Sequence, residues 1–264
     1  MHIMAGGTHG DDEGVIARIA RLLAAFDDDE PVLGLAQLAA AAGLPKSTAY
    51  RLATELARHG LLARTESGAF CVGTRLWEVG ELSPLSSRLR EFAFPILERL
   101  YEATGENVHL AVLDGDSPAA AEALYVVKVS GETSIPTLSR TGGRLPLHTT
   151  GVGKALLMGR DEDWLARYFT RRLERETTFS ITDEQRLRAD LAESRARGYA
   201  ATRQEMTLGN FSVAAPLPDI PGLPASAVGI VSHIGRAGEG KLAPLVRRAA
   251  QDIASAVAPH LARR

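Results

Sequence analysis

The sequence predicts an α+β chain in which an N-terminal winged helix-turn-helix is joined by a linker helix to a larger antiparallel-sheet domain flanked by helices. Three observations predict it. Two short amphipathic helices sit either side of a glycine-containing turn. A small hairpin follows them, and the rest of the chain mixes strand-like runs with capped helices. The length of 264 residues accommodates two ordinary domains. A hydrophobic fraction of 45% and a charged fraction of 23% are those of a soluble globular protein. No run reaches the roughly eighteen continuous apolar residues that a membrane span needs.

Residues 1–11 are expected to be a flexible tail, because they are small and polar and lack the basic-then-apolar pattern of a signal peptide. Asp11, Asp12 and Glu13 suit the positive end of a helix dipole. Val15, Ile16, Ile19, Leu22, Leu23 and Phe26 then make an apolar stripe, ended by Asp27–Glu30 and Pro31. Leu35, Leu38, Ala39 and Ala42 recur at i, i+3, i+4 and i+7, the signature of a short helix that Gly43 stops. Pro45 opens a second helix, with Ala49, Leu52, Ala53 and Leu56 on its apolar face and Gly60 at its end. The opposite face carries Lys46, Ser47, Thr48, Tyr50, Arg51 and Arg58, donors and cations that suit phosphates and base edges. Leu61–Arg64 and Ala69–Gly73, around Thr65–Gly68, read as the wing. From Leu44 to Arg75, five Lys and Arg outnumber Glu55 and Glu66, whereas the first thirty residues are acidic and the whole chain has net charge −2. A basic segment in a mildly acidic chain points to a localised anionic partner.

Residues 12–74 are thus read as the DNA-binding domain and 75–84 as the linker helix, with a boundary at Ser83-Pro84. Residues 85–264 form the second domain. Its first helix spans Ser87–Thr104, bent by Pro95 and closed by Gly105. Strands are expected at Val108–Leu113, Ala123–Val129, Ile135–Ser139, Arg144–His148, Tyr199–Glu205, Ser212–Leu217 and Ala227–Ile234. Helices are expected at Gly151–Met158, capped by Thr149-Thr150, and at Asp161–Phe169, Asp183–Arg197 and Gly240–Leu261. The last buries Leu242, Leu245, Val246, Ala249, Ile253 and Val257.

Several chemistries are excluded by spacing. Gly153-Lys154 is not a phosphate loop, because the required upstream glycine is His148 and the lysine is followed by Ala155. The seven histidines show no metal-ligand spacing, so no metal or cofactor is expected, and His109 and His148 read as packed, hydrogen-bonded strand residues. No Gly-x-Ser-x-Gly elbow accompanies Ser212 and His148, so no catalytic residues are assigned and the chain is read as a non-enzyme. The single cysteine, Cys71, cannot form an internal disulfide. It reads as a small apolar wing residue in a cytoplasmic protein.

These motifs together resemble the IclR family of transcriptional regulators. The resemblance is carried by Gly43-Leu-Pro-Lys-Ser-Thr48 and Gly60-Leu61 in the head. In the second domain it is carried by Leu145–Thr149, Gly153–Leu157, Ile181-Thr182, Arg197–Tyr199 and Ala214–Pro216. It implies a GAF-like C-terminal domain that binds a small effector, such as an organic, aromatic or sugar acid. It also implies a homodimer or homotetramer that binds double-stranded operator DNA as repressor or activator. From their shared exposed face on the second helix and in the wing, Ser47, Thr48, Tyr50 and Arg51 are expected in the major groove, with Lys46 and Arg64 on phosphates. By matching positions to the family, Leu145, Leu147, Gly151, Val152, Thr202, Asn210, Ser212, Gly229 and Val231 would line the effector pocket, with no fixed carboxylate among them. Relatives that bind small keto acids tend to carry a cysteine at Ser212, an acid near Thr202 and serines near Gly229 and Val231, so the pocket chemistry of this chain differs from theirs. The alternative is a small-molecule-binding or hydrolytic GAF-like protein whose N-terminal module makes protein contacts.

Overall fold

The computed structural model describes residues 14–27, 30–132, 134–236 and 238–261. The expected tail, the acids Asp11–Glu13, and Asp28 and Asp29 of the acidic run lie outside them. The chain divides into two compact units, Met1–Ser83 and Pro84–Arg264.

The first unit packs α1 (Val15–Ala24), α2 (Leu35–Ala41) and α3 (Lys46–Arg58) around Leu22, Leu38, Ala49, Leu52 and Leu56. The four apolar positions expected on α3 are all buried, so period 3.6 fixed the rotation of this helix correctly. Gly60, at φ +73°, ends α3 in the left-handed region and turns the chain into the wing. The wing strands β2 (Leu62–Arg64) and β3 (Phe70–Val72) pair antiparallel, and a third strand, β1 (Val32–Leu33), adds to β3. β1 was not foreseen: two residues are too few to show an alternation. Its Leu33 is nonetheless fully buried beside Phe70, its pairing partner. The linker helix α4 (Thr74–Glu81) buries no residue completely and leaves Trp77 66% and Val79 54% exposed.

The second unit is a six-stranded antiparallel sheet. A π-helical turn, Leu85–Arg90, runs into α5 (Glu91–Thr104), which contains Pro95 and ends at Gly105. The sheet comprises β4 (Asn107–Asp114), β5 (Glu122–Val129), β6 (Arg144–Leu145), β7 (Ala200–Arg203), β8 (Asn210–Pro216) and β9 (Ser226–His233), in the order β6-β5-β4-β9-β8-β7. One face packs on α5 and α9 (Glu239–Leu261), the other on α6 (Gly151–Met158), α7 (Glu162–Tyr168) and α8 (Glu184–Arg197). Asp161 and Asp183 cap α7 and α8 by accepting from the Trp164 and Arg186 amides. Mixed α+β architecture with an N-terminal helix-turn-helix is therefore the fold.

Two strand expectations fail. Ile135–Ser139 forms no strand. Its carbonyls are taken by side chains instead of a ladder: Asn107 Nδ2 donates to Ile135 O and Lys128 Nζ to Ser139 O. Pro136 also has no N–H to offer. The strand expected over Arg144–His148 is only Arg144–Leu145, because the chain breaks off at Pro146 toward the α6 cap. On α9, Leu245 is 37% exposed, on the edge of the buried stripe rather than in it.

Candidate functional site

The first unit offers one polar, cationic face. Lys46, Ser47, Tyr50 and Arg51 are exposed and Thr48 half-buried on the side of α3 away from its core residues. Arg64, at the end of β2, joins them. Its Nη2 donates to Thr54 Oγ1 at 2.9 Å, and its guanidinium lies 4.7 Å from the Phe70 ring centroid and 5.6 Å from that of Tyr50. The structure thus brings all six expected DNA contacts to one surface. Arg58, also expected on this face, is bonded to Glu55, whose pKa is pulled down mainly by that hydrogen bond. Cys71 is half-buried on β3, its sulfur 3.8 Å from Ala63 O.

In the second unit a cavity lies between the start of α6 and the sheet. Thr150 caps α6: its hydroxyl oxygen accepts from the Gly153 amide at 3.2 Å and its hydroxyl donates to Pro146 O at 2.8 Å. Two glycines let this helix end approach the strands. A Cβ on Gly151 would collide with Ser212 Oγ, and one on Gly229 would lie 2.8 Å from Val152 Cγ1. The Gly151 and Val152 amides are first-turn donors with no intrahelical acceptor. With the helix dipole they suit an anion.

The cavity encloses about 530 Å³ of space between atoms, mouth included. Leu145, Gly151, Val152, Thr202, Asn210, Ser212, Gly229 and Val231 all line it. Thr202 and Ser212, facing each other across β7 and β8, share a 2.6 Å hydroxyl–hydroxyl hydrogen bond. Leu147 does not line it. With the strand ending at Leu145, side-chain alternation no longer holds, and Leu147 is fully buried in the core with Ala155 and Leu156.

Further lining residues escaped the sequence reading. His109 and Tyr125, on β4 and β5, face the cavity edge-on to one another at 5.4 Å. His109 Nε2 contacts Ser139 Oγ at 2.8 Å, so the loop mistaken for a strand forms one wall. Burial, with Lys128 nearby, drives the His109 pKa down to about 3, so the ring is neutral. Burial likewise raises the Tyr125 phenol. His148, the other histidine read as packed, is 1% exposed with Nε2–H donating to Glu174 O at 2.8 Å, and burial lowers its pKa.

Glu205 is the main omission, and it corrects the expectation of a pocket without a fixed carboxylate. It lines the cavity and is 6% exposed. Lys154, fully buried on α6, places Nζ 2.8 Å from Glu205 Oε1 and 2.8 Å from Asp190 Oδ2. Burial raises the Glu205 pKa and Lys154 opposes that rise. A signal existed: a lysine inside the apolar run Gly151–Met158 must find a carboxylate.

Among the described residues no cluster of His, Cys, Asp or Glu could hold a metal ion, and no helix is long and apolar enough to cross a membrane.

Residues 85–255 match the family described as the bacterial transcriptional regulator IclR C-terminal domain, and residues 15–66 match the IclR helix-turn-helix domain. The chain belongs to the IclR family. It is 32% identical to the HTH-type transcriptional regulator BhcR of Paracoccus denitrificans, over 97% of this chain and 92% of that one. It is also 32% identical to the transcriptional repressor IclR of Escherichia coli, over 84% and 80% respectively. Among solved structures, an IclR homolog of Microbacterium hydrocarbonoxydans complexed with 4-hydroxybenzoate superposes with a TM-score of 0.83 at 28% identity, covering 92% of this chain and 99% of that one. The IclR of Thermotoga maritima gives 0.71 at 27%, covering 92% and 98%. This IclR-family chain is accordingly a transcriptional regulator, with a DNA-binding helix-turn-helix and a C-terminal effector-binding domain.

Proposed function

We propose that α3 reads operator DNA in the major groove through Ser47, Thr48, Tyr50 and Arg51, with Lys46 and Arg64 on phosphates. The cavity at the start of α6 holds the effector, a small organic or aromatic acid. The single observation that carries this is the pairing of two unspent α6 amides with a polar cavity wall of Thr202, Asn210 and Ser212. The Microbacterium homolog, crystallised with an aromatic hydroxy acid, supports a ligand of that size. The division is a head over 12–74, a linker over 75–84 and an effector domain over 85–264, and the protein works in the cytoplasm without a membrane partner. The exposed Trp77 and Val79 of α4 are contacts between copies in a homodimer or homotetramer. Sedimentation that finds only monomer at micromolar concentration contradicts that assembly.

Catalysis is not part of the proposal. Ser212 bonds Thr202 rather than a histidine, and His148 Nε2 is occupied by Glu174 O. Among the described residues, Ser139 and His109 form a hydroxyl–imidazole contact at 2.8 Å. A histidine with a pKa of about 3 is a weak general base at neutral pH, and no carboxylate hydrogen bond orients it.

An operator titration tests the assignment. Arg51→Ala lowers affinity by about 1–3 kcal/mol and blurs sequence preference, whereas Lys46→Ala weakens all sequences alike. Asn210→Ala with Ser212→Ala leaves ligand-free DNA binding intact and blunts the effector response. Unchanged operator binding in the two head variants removes α3 from the interface. Undiminished effector affinity in the cavity double variant removes the cavity.

A further inference from the structure

The polar side chains His109, Tyr125, Ser139, Thr202 and Ser212 line the cavity, and each is 7% exposed or less. A ligand reaches them only if a wall moves. Three walls are fastened. The strands are held by the ladders of β4, β8 and β9, and α6 is packed into the core through Ala155 and Leu156. The connection from Gln204 to Gly209 is pinned along its backbone. Gln204 N–H donates to Asn210 O at 2.7 Å, Gly209 N–H donates to Gln204 Oε1 at 2.9 Å, and the Thr177 and Ser180 hydroxyls donate to Gln204 O and Glu205 O. The fourth wall, residues 135–139, differs. Among the described residues its backbone makes no hydrogen bond to another backbone group. Three side chains of the sheet hold it instead: Asn107 at Ile135 O, Lys128 at Ser139 O, and His109, whose Nε2 shares a 2.8 Å hydrogen bond with Ser139 Oγ. Thr137, Leu138 and Ser139 line the cavity, yet Leu138 is 62% exposed, so a single thickness of chain separates the cavity from solvent here.

We infer that residues 135–139 are the door of the cavity and that the His109–Ser139 hydrogen bond is its latch. This rests on the reading of the cavity as the effector site. The ends of the door stay with the sheet. Asn107, itself buried, holds Ile135 at one end. At the other, Gly142 N–H donates to Tyr125 O at 2.8 Å and Tyr125 N–H donates to Gly143 O at 2.9 Å. Opening therefore breaks side-chain bonds at Ser139 and leaves every β-ladder and the α6 core in place. That makes it a local event, well below global unfolding in cost. The latch residue His109 lies on the binding face of β4, so the group that shuts the door also faces the ligand. Ser139 and Lys128 act through the loop as positioning residues that set how fast a ligand enters and leaves.

Thiol labelling of the full-length protein tests this without an effector. Ser212→Cys places one thiol in the cavity wall, and Cys71→Ala removes the native one. In that background iodoacetamide labels the cavity thiol about ten-fold or more faster than it labels Ala155→Cys, a core position reached only on unfolding. Adding Ser139→Ala, which removes the latch, raises the cavity rate about five-fold or more. Lys128→Met, which removes the bond to Ser139 O from outside, raises it as well and stands in if Ser139→Ala does not fold. Gln204→Ala, which loosens the neighbouring wall, changes it less than about two-fold. A cavity thiol labelled no faster than Ala155→Cys overturns the inference, because the cavity then opens only when the domain unfolds. A rate indifferent to both Ser139→Ala and Lys128→Met overturns it too, as does one that rises with Gln204→Ala instead. The effector assignment fails separately: undiminished effector affinity in the Asn210→Ala, Ser212→Ala variant removes the ligand from the cavity, whereas the labelling rates report the door alone.

Discussion

The strands of the effector domain present two faces of opposite character. Toward α5 and α9, β4 turns Val108, Leu110 and Val112, β8 turns Phe211, Val213 and Ala215, and β9 turns Val228 and Ile230. Toward α6 the same strands turn His109 and Ala111, Ser212 and Ala214, and Ala227 and Gly229. Large apolar side chains are buried on the first face. Small and polar ones on the second let a helix end come close and leave space beside it. Strand alternation thus lets one sheet be a core on one side and a binding wall on the other, with no change of backbone.

This contrast can be broken most sharply at adjacent residues. Ile230→Ala empties a fully buried site on the core face and lowers stability by about 2–5 kcal/mol in urea unfolding. Val231→Ala, one residue on and half-buried at the cavity, costs less than half as much and changes acid binding instead. Equal destabilisation by the two would show that both faces are ordinary core.

A second measurement uses proton linkage on the binding face. His109 is neutral in the fold down to about pH 3, whereas in the unfolded chain it takes up a proton near pH 6.5. Between those values the unfolded state binds more protons, so stability falls as pH falls. The contribution of His109 is complete above about pH 6.5 and drains away toward pH 3. Its contacts are the Tyr125 ring and the Ser139 hydroxyl, with the Lys128 ammonium nearby, and Glu205 lines the same cavity. His109→Gln flattens this part of the profile relative to wild type. An unchanged slope would mean that the ring is hydrated in solution.

The smallest expected effect is at the hydroxyl pair. Ser212→Ala leaves Thr202 one bond short and costs about 0.5–1.5 kcal/mol, far less than truncation on the opposite face. A loss as large as that of Ile230→Ala would make this pair structural.

The same contrast explains what could be read from the sequence. Helices announced themselves locally: Thr150, Asp161 and Asp183 cap where their side chains predict, and Gly105 and Gly198 take the positive φ that ends α5 and α8. The face of α3 followed from its period alone. Irregular backbone was harder. Residues 135–139 have strand-like composition, but Asn107 and Lys128, distant in sequence, hold them as a loop. Leu147, placed in the pocket by resemblance on a strand expected over Arg144–His148, lies in the core because the strand ends at Leu145, before Pro146. Glu205 follows no periodic pattern, and only the need of Lys154 for a counter-charge hinted at it.

Arg64 has a consequence for the thermodynamics of operator recognition. Held by Thr54 and lying over Phe70, it ties the wing strand to α3 before any DNA arrives. A free arginine gives up about 2 kcal/mol of rotamer entropy when a phosphate fixes it. Here most of that ordering accompanies folding of the head, so a phosphate meeting Arg64 finds a preorganised partner. On the proposed reading of α3 and the wing as the DNA surface, replacing Arg64 loosens the contact between β2 and α3 as well as removing one charge.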